Sequence, residues 1–94
     1  MISRNFFNQT RILDGGMGQE LLARGMRPNS TLWSANAILD ENYHQLVLDT
    51  HVDFIKAGAE IIVTTTFATR QKRLKENNLL DKFEYLNQKA GEIA

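Results

Sequence analysis

The glycine-rich segment Asp14–Gly18 (DGGMG) directly follows Ile12–Leu13 and restricts the fold more than any other part of this sequence. Ile12–Leu13 are predicted to form a short buried strand, after which the glycines allow a sharp turn that a side chain would obstruct. Residues 19–24 are good helix formers and end at Gly25, the predicted C′ residue. Asp14 would then lie at the carboxyl end of a strand, where α/β folds bind ligands. An Asp14 that only caps the helix is the open alternative.

A second strand is predicted over residues 59–67, where β-branched residues follow one another without alternation. Such a run suits a strand that is buried on both faces of a parallel sheet. Between the strands, a helix is predicted over residues 41–57, with Asp40 as its N-cap and Gly58 as its stop. Strand, helix and strand in this order form a right-handed βαβ unit. The predicted apolar face of the helix comprises Tyr43, Leu46, Val47, Thr50, Phe54 and Ala57.

Shorter helices are predicted around this unit. A helical turn is predicted over residues 33–39, with Ser34 as its N-cap. A helix is predicted over residues 70–77 with Thr69 as its N-cap, and a last helix begins at Asp81. Glu84 follows Asp81 at the spacing of a capping box. The predicted inward face of the last helix is Phe83, Leu86, Ala90 and Ile93.

Composition limits the classes of partner and site. Eleven basic and eleven acidic residues balance, which gives no indication of a nucleic-acid or anionic-membrane partner. The basic cluster over residues 70–75 is interpreted as a solvated helix face. No apolar run approaches the ~20 residues of a membrane span, and the N-terminus lacks the apolar core of a signal peptide, so a cytoplasmic location is expected.

Cysteine is absent, which excludes disulfides, thiolate nucleophiles and cysteine-based metal sites from these 94 residues. His44 and His51 lie on one predicted helix but two turns apart, too far for one metal ion. They are expected to be surface or packing residues. The sequence therefore predicts no metal ligands and no catalytic residues of its own.

Several segments, in one order and spacing, resemble the opening of the homocysteine S-methyltransferase family over residues 11–94. They are Ile12–Gly18, Glu20–Leu21, Arg24–Gly25, Leu32–Ala35, His51–Ile62 and Thr64–Thr69. Two positions depart from the family pattern. Gln19 stands where threonine is frequent, and Thr65 where asparagine is frequent, which could alter hydrogen bonds at the glycine turn and at the mouth of strand two.

The resemblance implies a zinc-dependent enzyme on a (β/α)8 barrel that moves a methyl group from a sulfonium, betaine or folate donor to the sulfur of homocysteine, giving methionine. The family's zinc ligands are three cysteines from later in the barrel, and this sequence has none of them. Such a barrel takes about 250 residues. Residues 1–94 are therefore expected to form the N-terminal βα units of one incomplete α/β barrel domain, with residues 1–10 as an N-terminal extension.

The resemblance also implies the binding residues. Asp14 would bind the ammonium group of homocysteine, and the N–H groups of Gly15 and Gly16 are candidates for its carboxylate. Trp33 matches a family tryptophan near the barrel mouth, where it would wall the pocket or serve packing alone. Thr65 would lie at the carboxyl end of strand two, as a ligand contact or as a strand former.

Alternative functions stay open at this stage. The chain alone is expected to be inactive, and it could instead be a non-catalytic fragment or split half that docks on a partner chain supplying the rest of the barrel, because its sheet edges would be unpaired. A nucleotide- or phosphate-binding module is a third interpretation, since a glycine turn before a helix can cradle an anion. The spacing fits neither common phosphate motif, and Asp14 would repel a phosphate.

Overall fold

The computed structural model describes residues 3–94, which form a helical structure. Its α-helices are α1 (Met17–Ala23), α2 (Asn36–Leu39), α3 (His44–Lys56), α4 (Gln71–Glu76) and α5 (Phe83–Ile93). Short 3₁₀ helices span Arg4–Asn8, Trp33–Ala35, Glu41–Tyr43 and Leu80–Lys82. The predicted helices are thus confirmed, with bounds shifted by a few residues. Within residues 3–94, no helix combines the length and apolar character that crossing a membrane requires.

Glycines at two helix ends have the backbone conformation that the sequence predicts. Gly25 follows α1 with φ of +104°, and Gly58 follows α3 with φ of +118°. After α1, the Gly25 N–H donates to Leu22 O at 3.1 Å and the Met26 N–H donates to Leu21 O at 3.0 Å. These paired bonds form a Schellman motif, which satisfies carbonyls that a helix end would leave unpaired.

Two predicted caps are wrong. Ser34 lies inside the 3₁₀ turn that follows Leu32, so it does not precede a helix. The residue before α4 is Arg70 rather than Thr69. The Thr69 hydroxyl is used elsewhere, because it donates to Asn87 Oδ1 on α5 at 2.8 Å.

Short 3₁₀ turns, Glu41–Tyr43 and Leu80–Lys82, precede α3 and α5, and they bear on two further predicted caps. Asp40 is confirmed as a cap, since its carboxylate accepts a hydrogen bond from the Asn42 N–H at 3.0 Å. The capping box of Asp81 and Glu84 is wrong. The turn Leu80–Lys82 shifts the start of α5, so Asp81 lies inside that turn and the residue before α5 makes no side-chain cap.

The two predicted strands are not formed as strands in residues 3–94, and this corrects the expected βα units. The segments meet in a single parallel bridge between Leu13 and Ile61. The Asp14 N–H donates to Ile61 O at 3.0 Å, and the Glu60 N–H donates to Ile12 O at 2.8 Å. The parallel direction agrees with the predicted crossover, but the pairing does not extend further along either segment.

Exposure explains why the pairing stops. We call residues 11–14 and 60–67 the ledge. Its exposed apolar side chains include Ile12 at 58%, Val63 at 55% and Phe67 at 68% of full exposure. Two chain segments with open edges and uncovered faces gain little from a ladder, since stable sheets need further strands or a covering layer.

The apolar core lies among the helices, and we call α1–α5 with this core the helical body. Its buried members are Leu21, Met26, Ala37, Ile38, Val47, Leu74, Leu86 and Ala90. On α5, Leu86 and Ala90 are fully buried and Phe83 and Ile93 partly so, which confirms its predicted face. On α3 the predicted face is confirmed except at Ala57, which is exposed because it lies past the last helical residue.

Candidate functional site

One pocket of about 250 Å³ lies between the ledge, the start of α1 and the 3₁₀ turn before α2. It brings together all five residues for which the sequence predicts a binding role, namely Asp14, Gly15, Gly16, Trp33 and Thr65. The rest of its lining is Met17, Gly18, Gln19, Ser34, Val63, Thr64 and Phe67. Its volume lies below the ~300–1,000 Å³ of sites for drug-sized ligands, which suits a small molecule.

Asp14 lines this pocket and is held in place by hydrogen bonds within the ledge. Its backbone N–H donates to Ile61 O at 3.0 Å, and its carboxylate Oδ2 accepts a hydrogen bond from the Val63 N–H at 3.0 Å. Asp14 is the single charged residue among the described residues that line the pocket. The lining therefore favours a cationic group and disfavours a phosphate.

The glycine turn presents backbone donors beside that carboxylate. Among the residues the structure describes, the N–H groups of Gly15 and Gly16 donate to no other group. The turn rests on α3, since a Cβ on Gly15 would lie 3.0 Å from Phe54 Cε1. A carboxylate and N–H groups without a partner among the described residues thus belong to consecutive residues in the lining of one pocket.

Trp33 both walls the pocket and packs, so its two predicted roles coincide. Its backbone has φ of +53°, a left-handed conformation that costs about 1–3 kcal/mol in a residue other than glycine. The backbone N–H of Trp33 donates to Asn29 O at 2.9 Å, and the Trp33 side chain packs against a small cluster of Leu32, Ala35 and Ala68. The surrounding contacts therefore hold the indole at this wall.

Thr65 lines the pocket with a buried hydroxyl. The residue is 5% exposed, and its Oγ1 has no hydrogen-bond partner among residues 3–94. By contrast, the hydroxyls of Thr64 and Thr66 bond to each other at 3.1 Å. A buried hydroxyl without a partner costs about 1–3 kcal/mol, so this residue carries a local energetic cost in the ligand-free protein.

The histidines are packing residues, as predicted. The Nε2 atom of His44 lies within hydrogen-bond distance of the Ile38 carbonyl oxygen, at 2.7 Å. His51 is 1% exposed, and neither ring nitrogen has a partner within the described part of the chain. Burial lowers the pKa of His51 below its ordinary value, and the negative charge of Asp14 opposes that change. His51 is therefore held neutral near neutral pH, next to the segment that positions Asp14.

A zinc ion does not fit the side chains present. Cysteine is absent from the sequence, and residues 3–94 contain no group of three histidine, aspartate or glutamate side chains placed to hold a metal ion. Structural and catalytic zinc sites use at least three such protein donors. The groups that the described lining offers are a carboxylate, hydroxyls and backbone amides.

Sequence reasoning missed part of the lining. Gly18 had no role beyond the turn, Ser34 was assigned to a cap, and Phe67 was assigned to a buried strand. A signal for Ser34 was available, because it adjoins Trp33 in one of the segments that resemble the family. No sequence pattern indicates that Gly18 contacts the indole, since that contact joins residues far apart along the chain.

Comparison with known proteins gives the family. The sequence profile of Homocysteine S-methyltransferase matches residues 11–94. This chain belongs to that family. The recognition made from the sequence is therefore confirmed.

Curated relatives agree with this membership. The chain is 36% identical over 74 residues to Homocysteine S-methyltransferase 2 of Saccharomyces cerevisiae, covering 70% of this chain and 23% of the relative. It is 38% identical over 84 residues to Homocysteine S-methyltransferase 2 of Zea mays, covering 88% of this chain and 24% of the relative. Selenocysteine Se-methyltransferase of Brassica oleracea var. italica is 37% identical over 84 residues, 88% of this chain and 24% of the relative.

The chain thus spans about a quarter of the length of the curated relatives it matches. No solved structure matches it significantly. The family is shown by sequence, whereas the pocket is described from this structure alone.

Proposed function

We propose that this chain binds homocysteine as the methyl acceptor of an S-methyltransferase that forms methionine. The observation that carries the proposal is the carboxylate of Asp14, the one charged group in the described lining of a small pocket. Oδ2 is held by the Val63 N–H, so the carboxylate is oriented before any ligand arrives. Preorganisation of this kind lowers the ordering cost of binding.

The pocket can hold both charged ends of an amino acid. In the proposal, the ligand's ammonium group donates to Asp14, and its carboxylate accepts from the N–H groups of Gly15 and Gly16. The Thr65 side chain lines the same pocket, and the Trp33 indole covers the apolar side chain of the ligand. Fixing the amino-acid end in this way restricts where the sulfur lies, which is the contribution that orientation makes to a transfer reaction.

The wider assignments are part of the proposal. A (β/α)8 barrel, a zinc requirement and a cytoplasmic location follow from the family resemblance and stay predictions for this chain, as does the division into residues 1–10 and one barrel domain. Zinc would need donors that these residues do not contain. We therefore expect the polypeptide of residues 1–94 to bind homocysteine with or without added zinc, and not to transfer a methyl group by itself.

Calorimetric titration with L-homocysteine tests the binding role. Replacing Asp14 by alanine removes a charge-assisted bond of about 1.5–3 kcal/mol, so affinity should fall about 10- to 100-fold. The matched control is Asp49→Ala, because Asp49 is an exposed carboxylate on α3 that bonds Gln45 at 2.8 Å and lies outside the pocket. This control should bind like the wild type.

Ligand analogues separate the proposal from the phosphate-binding alternative. 4-Mercaptobutanoate lacks the ammonium group and should bind weakly to the wild type and equally weakly to the Asp14→Ala variant. Binding of inorganic phosphate that improves on loss of Asp14 would contradict the proposal and favour an anion site. We do not expect this, because α1 has seven residues and begins beside a carboxylate.

A second candidate function is docking onto a chain that supplies further strands. The exposed apolar side chains of the ledge favour it, with Ile12 and Leu13 both at 58% of full exposure. The test uses a shortened form of the Zea mays relative, from which the 84 residues that match this chain have been removed. Analytical ultracentrifugation of this shortened relative mixed with the present chain should show a complex, and the Val63→Asp variant of the present chain should weaken that complex. The absence of any complex would remove this candidate and leave the binding proposal intact.

A further inference from the structure

We infer that Gly18 is a positioning residue: the space that it leaves sets the place of the Trp33 indole, and thereby how much room the pocket offers its ligand. The inference rests on the proposed function only for the identity of that ligand, homocysteine. The position of the indole itself is a property of the folded chain and can be measured without any ligand.

Contact distances carry the inference. A Cβ on Gly18 would lie 2.8 Å from Trp33 Nε1, 2.9 Å from Cε2 and 3.0 Å from Cζ2. Real Cβ atoms are not found so close to other heavy atoms, so even the single methyl group of alanine would displace the indole. Gly16 differs, since a Cβ there would meet Gln19 at an ordinary 3.9 Å.

The indole can move in few directions. Its backbone is constrained by the left-handed φ of +53° and by the bond from the Trp33 N–H to Asn29 O at 2.9 Å. The side chain also packs against the cluster of Leu32, Ala35 and Ala68. The indole also borders the pocket of about 250 Å³. A side chain at position 18 would therefore displace the indole and change the shape of the pocket that both residues line.

The local structure otherwise favours a larger residue at this position. Gly18 lies in the first turn of α1, and glycine is among the poorest helix formers. Its φ is not positive, so the backbone there would accept alanine without strain. The lack of a side chain thus serves the contact with the indole rather than the helix.

Fluorescence gives a direct readout, because Trp33 is the only tryptophan in the sequence. Gly18→Ala should shift the emission spectrum of Trp33 and change its quenching by acrylamide in the absence of ligand. The same variant should bind L-homocysteine about tenfold more weakly. The matched control is Gly91→Ala, since Gly91 lies on α5 with no atom within 4 Å of an added Cβ. It should leave both emission and affinity unchanged.

A double variant tests whether the indole is the obstacle. Alanine at position 33 has no ring, so adding Trp33→Ala to Gly18→Ala should restore the affinity of Trp33→Ala alone. If Gly18→Ala does not fold by circular dichroism, recovery of folding in the double variant supports the inference and continued unfolding overturns it. Unchanged emission and quenching in a folded Gly18→Ala variant would also overturn it.

The outcomes separate the inference from the proposed function. If the wild type binds no L-homocysteine, the proposed function fails, and the emission and quenching of Gly18→Ala still decide whether Gly18 positions the indole. If the wild type binds and Gly18→Ala binds equally well with unchanged emission, the inference fails and the proposed function stands.

Discussion

The helical body and the ledge contain the same kinds of apolar residue but bury them to opposite extents. Leu21, Ile38 and Leu86 in the body are fully buried, whereas Ile12 and Val63 on the ledge are more than half exposed. The difference follows from backbone hydrogen bonding. A helix pairs its own N–H and C=O groups, so it needs neighbours only to cover one face.

A strand depends on neighbours for its backbone as well as for its faces. On the ledge only one parallel bridge forms, and the Asp14 carboxylate takes over the next contact by accepting from the Val63 N–H. The pocket lies where the two regions meet. The body forms one wall of the pocket. The ledge contributes polar groups that do not pair in a β-ladder.

The largest effect should come from truncating the core of the body. Ile38→Ala removes a fully buried side chain and should lower the free energy of unfolding by about 2–5 kcal/mol. The matched variant Val63→Ala changes a ledge side chain that is 55% exposed and should stay within about 0.5 kcal/mol of the wild type. Urea unfolding followed by circular dichroism measures both, and equal losses would break the comparison.

The next largest effect concerns the helix end that leads from the body to the ledge. Gly58→Ala places a Cβ on a residue with φ of +118° and should destabilise the protein by about 1–2 kcal/mol. Gly91→Ala, inside α5, should instead stabilise by up to about 1 kcal/mol through helix propensity. Thermal unfolding of the two variants should therefore shift in opposite directions. A stable Gly58→Ala variant would show that this turn can adopt another conformation.

Replacing Thr65 should raise the stability of the protein, in contrast to Ile38→Ala and Gly58→Ala, and the change should be smaller. Thr65→Val removes a buried hydroxyl without a partner and should stabilise the ligand-free protein by about 1 kcal/mol. Thr50→Val is the control, since the Thr50 hydroxyl donates to Leu46 O at 2.7 Å and its removal should bring no such gain. Loss of stability in Thr65→Val would mean that the hydroxyl already has a partner in solution.

The smallest effect is a pH dependence of the body. The folded-state pKa of His51 lies below the ordinary value of 6.5 because burial disfavours its charged form. Above about pH 6.5 the histidine is neutral in the folded and in the unfolded state, so it causes no loss in the free energy of unfolding. As the pH falls below that value, the unfolded chain takes up the proton first and stability declines, until the folded-state pKa is passed.

Urea unfolding between about pH 5 and 7.5 checks this dependence, over the range where histidine titrates. His51→Gln should flatten the decline in stability, since the titrating ring is gone. His44→Gln removes the other histidine of the sequence and serves as the control. An equal flattening in both variants would contradict the assignment to His51.

The sequence alone predicted much of the helical body and five of the residues that line the pocket, Asp14, Gly15, Gly16, Trp33 and Thr65. The helix ends at Gly25 and Gly58 follow from local backbone preference, and the spacing of Leu86 and Ala90 follows from helical periodicity. Asp14 and Thr65 were found because strand-like segments of α/β proteins carry ligand residues at their carboxyl ends, and these segments meet even without a sheet. Both residues line one pocket, and their binding role stays a prediction.

Only the tertiary structure decided the rest. Residues 59–67 have strand-like composition, but composition cannot supply the neighbouring strands that a ladder requires, so one bridge forms. The contact of Gly18 with Trp33 and the burial of His51 depend on packing between elements far apart in the chain. Local sequence thus determined which helices form and where they end, because those choices are made within a few residues. Sheet pairing and the shape of the pocket were decided by what each segment meets in space.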